Sequence, residues 1–223
     1  MSNEPSDLEP GRMTRRGALR CLGAWSGAAV IWGISGGVPR ALGMASEAAT
    51  KQAAAGQFTF AQISDTHVGF HKEANPDVIA TMRRAIADIN ALAQQPAFAV
   101  HTGDITHLSK PEEFDLAAQV LKELNVSRIH YVPGEHDVLD NGLSGYMQHY
   151  GGQSQNQPFY SFDDHGVHFV ALTNVVDFKA GSLATLGSEQ LEWLEQDLKS
   201  HSASTPVVVL AHIPLWTVYE PWG

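Results

Sequence analysis

Short apolar runs alternate with amphipathic stretches along residues 58–132, and that alternation constrains the direction of any sheet they build. "FTFAQIS" (58–64), "AFAV" (97–100) and "RIHYV" (128–132) are apolar enough for buried strands. Between them, "PDVIATMRRAIADINALA" (76–93) brings Val78, Met82, Ile86, Ile89 and Ala93 to one helical face, with Pro76 at a permitted first-turn position. "PEEFDLAAQVLKELN" (111–125) does the same with Phe114, Ala117, Leu121 and Leu124, and has acids in its first turn. A β-α-β-α-β order implies parallel strands joined by right-handed crossovers. Then the rhythm changes. "FYSFDD" (159–164) and "VHFVALT" (167–173) flank His165-Gly166 as an antiparallel hairpin. "SEQLEWLEQDLKSH" (188–201) reads as a helix capped by Ser188 with Leu191, Leu194 and Leu198 inward, and "PVVVLAH" (206–212) as a further buried strand. The expected class is a layered, mixed α/β domain.

Polar chemistry collects where these strands end. The first is followed by Asp65 and His67, the second by Asp104 with His101 and His107 nearby, the third by "GEHD" (134–137), and the last by His212. Parallel strands put such ends on one edge, where ligands bind. A single cluster such as Glu135-His136-Asp137 could be a metal site, a general-acid pair or a polar loop. Four strand ends delivering acids and histidines together are harder to explain as loops, because burying like charges without a cation costs several kcal/mol each. Carboxylates and imidazoles without thiolates suit Mn²⁺, Fe or Zn²⁺, and two metals can share one carboxylate. Of the other histidines, His101 and His107 read as locally bonded or substrate-facing, and His130 as structural; Asn174 is a candidate for the site wall.

Composition narrows the partners. The net charge of −10 argues against a nucleic-acid duplex, while bound metal would still permit a phosphate ester or lipid headgroup. No Gly-rich phosphate loop is present. The N-terminus reads separately: "TRRGALR" (14–20) and the Gly/Ala-rich apolar stretch 21–38 form a signal over residues 1–45, with Arg15 and Arg16 pointing to the Tat translocase. The expectation is export to the periplasm or medium, with an uncleaved N-terminal membrane anchor as the alternative. Residues 46–57 read as a linker and 58–223 as the domain. Cleavage would discard Cys21, the single cysteine, and leave nine basic against twenty-one acidic residues with all eleven histidines.

The series D-x-H (65–67), G-D (103–104), G-E-H-D (134–137) and a late His (212) resembles the motif order of the calcineurin-like metallophosphoesterases, from about Phe58 to His212. That resemblance implies a four-layer sandwich of two mixed β-sheets flanked by helices. It implies that Asp65 and His67 hold a first metal, that Asp104 bridges, and that His212 holds a second. His136 would serve the leaving oxygen, oriented by Asp137, while metal-bound hydroxide attacks a phosphomonoester or phosphodiester. Two departures stand out. Glu135 occupies the place of the family's Asn, and is expected to ligate the second metal as a carboxylate. The family's later G-H-x-H is absent before Trp222-Gly223, so the chain is expected to be a piece of a longer protein lacking the C-terminal part of the sandwich. The alternatives are a non-catalytic metal- or phosphate-binding scaffold and a metal enzyme acting on a different ester.

Overall fold

The computed structural model describes residues 29–35, 37–44, 58–153, 157–176 and 185–214; the twin arginines, Cys21, the linker and Trp222-Gly223 lie outside them. The larger sheet has five strands in the order β2-β1-β3-β4-β5. They are β1 (Val30–Ser35), β2 (Val38–Met44), β3 (Phe58–Ile63), β4 (Ala99–His101) and β5 (Ile129–Tyr131). The last three are parallel, as the β-α-β-α-β pattern requires. The crossovers are α1 (Val78–Asn90), capped where the Asp77 carboxylate accepts from Ala80 N at 2.9 Å, and α2 (Pro111–Leu121). Because α1 ends at Asn90, Leu92 turns inward and the expected Ala93 stays exposed.

Alternation along each strand divides the core in two. Ala61, Ile63 and Ala99 face α1, α2 and α3 (Ser144–Tyr150). Phe60, Phe98 and Val100 face the smaller sheet of β6 (Tyr160–Asp164), β7 (Val167–Ala171) and β8 (Val207–Leu210). There β6 and β7 are antiparallel and β7 and β8 parallel. Rings of Phe60, Phe98 and Phe169 meet at 5.2–5.6 Å between the sheets, each pair adding about 0.5–1.5 kcal/mol beyond its buried area. With α4 (Gly187–Lys199) on the far face of the smaller sheet, the layers run helices, sheet, sheet, helix.

Two elements differ from the sequence expectation. β1 and β2, within the stretch read as the tail of an export signal, pair as an antiparallel hairpin whose first strand pairs antiparallel with β3, and Trp32 Nε1 donates to Gln62 Oε1 at 2.7 Å. A β-branched apolar stretch such as Val30-Ile31-Trp32 suits a strand as well as a signal core. Helix α4 begins at Gly187, so Ser188 lies inside it rather than at the cap, and Leu191 and Leu198 are 51% and 39% exposed. The helix is held instead by Gln190, whose side chain bonds Thr173 N and O, and by Trp193 against Phe159 at 5.0 Å.

His130 is structural, as expected. It stacks on Phe162 with centroids 3.6 Å apart, and both ring nitrogens are buried without a hydrogen bond. Burial, then the nearby Arg128, pushes its pKa down from 6.5 to about 4. Between those values the unfolded chain holds more protons, so stability rises with pH across that window and falls on acidification. His130→Phe is expected to stabilise the fold by about 1–3 kcal/mol at the acidic end and make the pH dependence shallower. Urea midpoints across the window check this; a parallel pair of curves would contradict it.

Candidate metal centre

The strand ends converge because their loops are stitched together by backbone. Asp65 N donates to Gly103 O (3.0 Å), His67 N to Asp104 O (2.9 Å), Val68 N to Ile105 O (2.9 Å) and His107 N back to Val68 O (2.9 Å). Packing this close excludes side chains at two glycines. A Cβ on Gly134 would sit 2.2 Å from Asp104 N, and one on Gly103, at φ +102°, would sit 2.5 Å from His212 Nδ1. Asp65, His67 and Asp104 are three of the five non-glycine residues with positive φ among those described, at 56°, 43° and 53°. Each such conformation costs on the order of 1–3 kcal/mol and persists where the surroundings enforce it.

Asp104 lies at the middle. Its Oδ1 accepts from His136 N at 2.9 Å, while Oδ2 lies 3.4 Å from His67 Nε2 and 3.6 Å from His212 Nε2. On one side, Asp65 Oδ1 is 4.0 Å from His67 Nε2. On the other, the buried Glu135 Oε2 is 2.8 Å from His212 Nε2. Ligands about 2.1 Å from one cation lie roughly 3.0–3.4 Å from each other, so these separations suit shared cations. Asp65, His67 and Asp104 make one such group, and Asp104, Glu135 and His212 another.

The electrostatics agree with the spacing. Burial works against a charged His212, but Asp104 and Glu135 outweigh it and hold the imidazolium, its pKa pushed up to about 11. His212 in turn keeps the Glu135 carboxyl below its ordinary range against burial. Asp104 is also held low: burial opposes its charge, and His212 with the His136 N–H prevail. Three carboxylates around two imidazoles thus create a strong demand for positive charge. Two cations fit that demand. His212 Nδ1 donates to Thr102 O at 2.6 Å, which turns Nε2 toward Asp104 and Glu135 in the manner of a ligating histidine.

The remaining expectations sort by contact. His136 Nδ1 bonds His107 O at 2.7 Å, so the carbonyl of residue 107, not Asp137, orients that ring. Asp137 points inward instead, fully buried, and accepts from Gly134 N, Ile105 N, Thr106 N and Thr106 Oγ1 at 2.8–3.2 Å. Four donors in the loop interior hold it more firmly than one half-buried imidazole could. His101 is locked: Gly103 N donates to Nδ1 (3.3 Å) and Nε2 meets Thr66 Oγ1 (3.1 Å). Asn174 does not line the site; it clamps Ile213, its Nδ2 donating to Ile213 O at 2.6 Å, and so braces His212. His107 does reach the wall of the site. Its ring stacks on His136 at 5.1 Å and meets His67 at 5.7 Å edge-on, with Nδ1 buried and unpaired. Its place three residues after Asp104 is the signal that could have singled it out. Beside these rings a cavity of about 530 Å³ is walled by Asp65, His67, Phe70, Asn75, His107 and His136.

Comparison with known proteins identifies the family. A probable glycerophosphodiester phosphodiesterase GpdQ of Arcobacter nitrofigilis is 27% identical over 157 residues, which cover 69% of this chain and 56% of that protein. The serine/threonine-protein phosphatase CPPED1 of Mus musculus is 28% identical over 180 residues, 72% of this chain and 57% of that one. The chain thus spans a little over half the length of both curated relatives. A purple acid phosphatase structure from yellow lupin seeds superimposes with a TM-score of 0.47 at 17% identity, covering 70% of this chain and 33% of that one. The profile of the calcineurin-like phosphoesterases matches residues 58–223, and the chain belongs to that family.

Proposed function

We propose that this chain carries the core of a binuclear, metal-dependent phosphoesterase whose preferred substrate is a phosphodiester of a small polar alcohol. The observation that carries the reading is Asp104 Oδ2, set between His67 and His212, with Asp65 and Glu135 completing the two groups. Manganese, iron or zinc held there would supply Lewis acidity toward the phosphoryl oxygens and a water of lowered pKa. The protein's own side chains do the rest. Asp65, His67 and Asp104 would hold one cation and Asp104, Glu135 and His212 the other. Because His136 Nδ1 is committed to His107 O, Nε2 is left to face the leaving oxygen and give it a proton. Phe70 and His107 form a wall against which the ester's alcohol arm can lie, away from bulk water.

The diester preference is supported by the GpdQ relative, whose name states that activity. Offering the metal-loaded protein glycerophosphodiesters beside aryl phosphate monoesters tests it. Faster release of alcohol from the diester is expected; a monoester preference would sink the substrate assignment while leaving the metal centre standing.

Glu135 gives a separable outcome. Glu135→Asn removes a negative charge facing His212 but keeps an oxygen donor there, so affinity for the second cation is expected to fall about 10–100-fold. Turnover at saturating metal should stay within about tenfold. Metal titration followed by calorimetry checks it, and unchanged affinity would mean that Glu135 is not a ligand.

We further propose export through the Tat route. N-terminal sequencing of protein recovered outside the cytoplasm is expected to show a start near residue 46, without β1 and β2. Recovery of the hairpin on exported protein would contradict cleavage there.

A further inference from the structure

We propose that Asp163, His168 and His201 form a third, structural cation site, separate from the centre around Asp104 and suited to Zn²⁺ or Ni²⁺. Asp163 and His168 are cross-strand partners on β6 and β7, and Asp163 Oδ1 lies 2.9 Å from His168 Nδ1. His201 follows the end of α4 and lies over His168 with ring centroids 3.7 Å apart. One ligand atom from each of the three falls within 4.8 Å of the others. The fit is completed from behind. His168 Nε2 meets Asp197 Oδ2 at 2.7 Å, and Asp197 Oδ1 accepts from Ser161 Oγ at 2.6 Å. A carboxylate on the far nitrogen of a buried histidine fixes ring and tautomer, and leaves the near nitrogen for a cation.

Position sets this cluster apart from the phosphoesterase centre. His168 pairs with Val207 at the start of β8, whereas His212 follows the strand's other end, roughly 15 Å away at strand rise. Two imidazole nitrogens and a carboxylate oxygen, without thiolate, match zinc or nickel better than magnesium or calcium. The site also has work to do. Leu191 and Leu198 of α4 are exposed, so a cation joining His201 to the β6–β7 hairpin would secure a helix that its apolar face holds weakly.

Dialysis of the metal-stripped full chain against Zn²⁺, then elemental analysis, tests this with His201→Ala and Asp163→Asn, both nearer the surface than His168. Wild type is expected to retain about one Zn²⁺ more per chain than either variant, and to show a larger Zn²⁺-dependent rise in melting midpoint than either. In Asp104→Asn that extra equivalent is expected to persist, so loss of the central metals is told apart from loss of this one. Equal zinc content and equal melting response in wild type, His201→Ala and Asp163→Asn would overturn the proposal and leave His168 clasped by carboxylates alone.

Discussion

Asp104→Asn is expected to lower phosphoester hydrolysis by about a thousandfold or more, equivalent to ~4 kcal/mol of transition-state stabilisation, with the fold intact. The amide keeps an oxygen that can accept from His136 N, so the loop contact survives. It cannot keep a negative oxygen on the side facing both His67 Nε2 and His212 Nε2, and an NH₂ there turns a donor toward the place of a shared cation. Metal content should fall together with turnover. Steady-state rates, elemental analysis and a thermal melt on one preparation separate this from unfolding. A variant with full metal content and a rate within tenfold of wild type would show that Asp104 does not bridge.

Asp137→Ala is expected to act by a different route, lowering stability by about 3–5 kcal/mol. Its carboxylate sits in the loop interior under four donors from Gly134, Ile105 and Thr106. Burial raises its pKa to about 6 even against those backbone N–H groups. Alanine would leave the donors buried and unpaired, and would loosen the β4 and β5 loops that carry Asp104 and Glu135. Chemical denaturation measures the loss. The opposite pattern, near-normal stability with turnover abolished, would return Asp137 to the role of orienting His136.

Asp65, His67, Asp104 and Glu135 could be placed together from sequence because β3, β4 and β5 are parallel neighbours whose ends share one edge, whereas His212 follows β8 of the other sheet and is grouped with them by the family's motif order. Side-chain direction within the loops could not be read. Whether Asp137 faces His136 or the loop interior depends on where the backbone N–H groups of Ile105 and Thr106 point, and no spacing encodes that. His101 and His107 flank Asp104 almost symmetrically in sequence, yet one is locked inside and the other faces the cavity. The Asp163–His168–His201 group needed the hairpin register and the end of α4 together. The 30–44 hairpin was hidden because its apolar, glycine-containing composition satisfies two different demands. Exposure of Leu191 and Leu198 was masked by a heptad-like spacing that promised an inward face, while the contact with the sheet is made by Gln190 and Asp197.

The most direct test is a metal-repletion assay on protein expressed from its full reading frame. After stripping, Mn²⁺, Fe²⁺ or Zn²⁺ is added stepwise while metal bound at the centre and hydrolysis of an aryl phosphate diester are followed together. Turnover that is absent in the stripped protein, emerges as the sites bounded by Asp104 fill, and stays absent in Asp104→Asn is the expected result. Full occupancy by two cations with no hydrolysis of diester or monoester would contradict it, and would make this centre a binding scaffold instead of a catalyst.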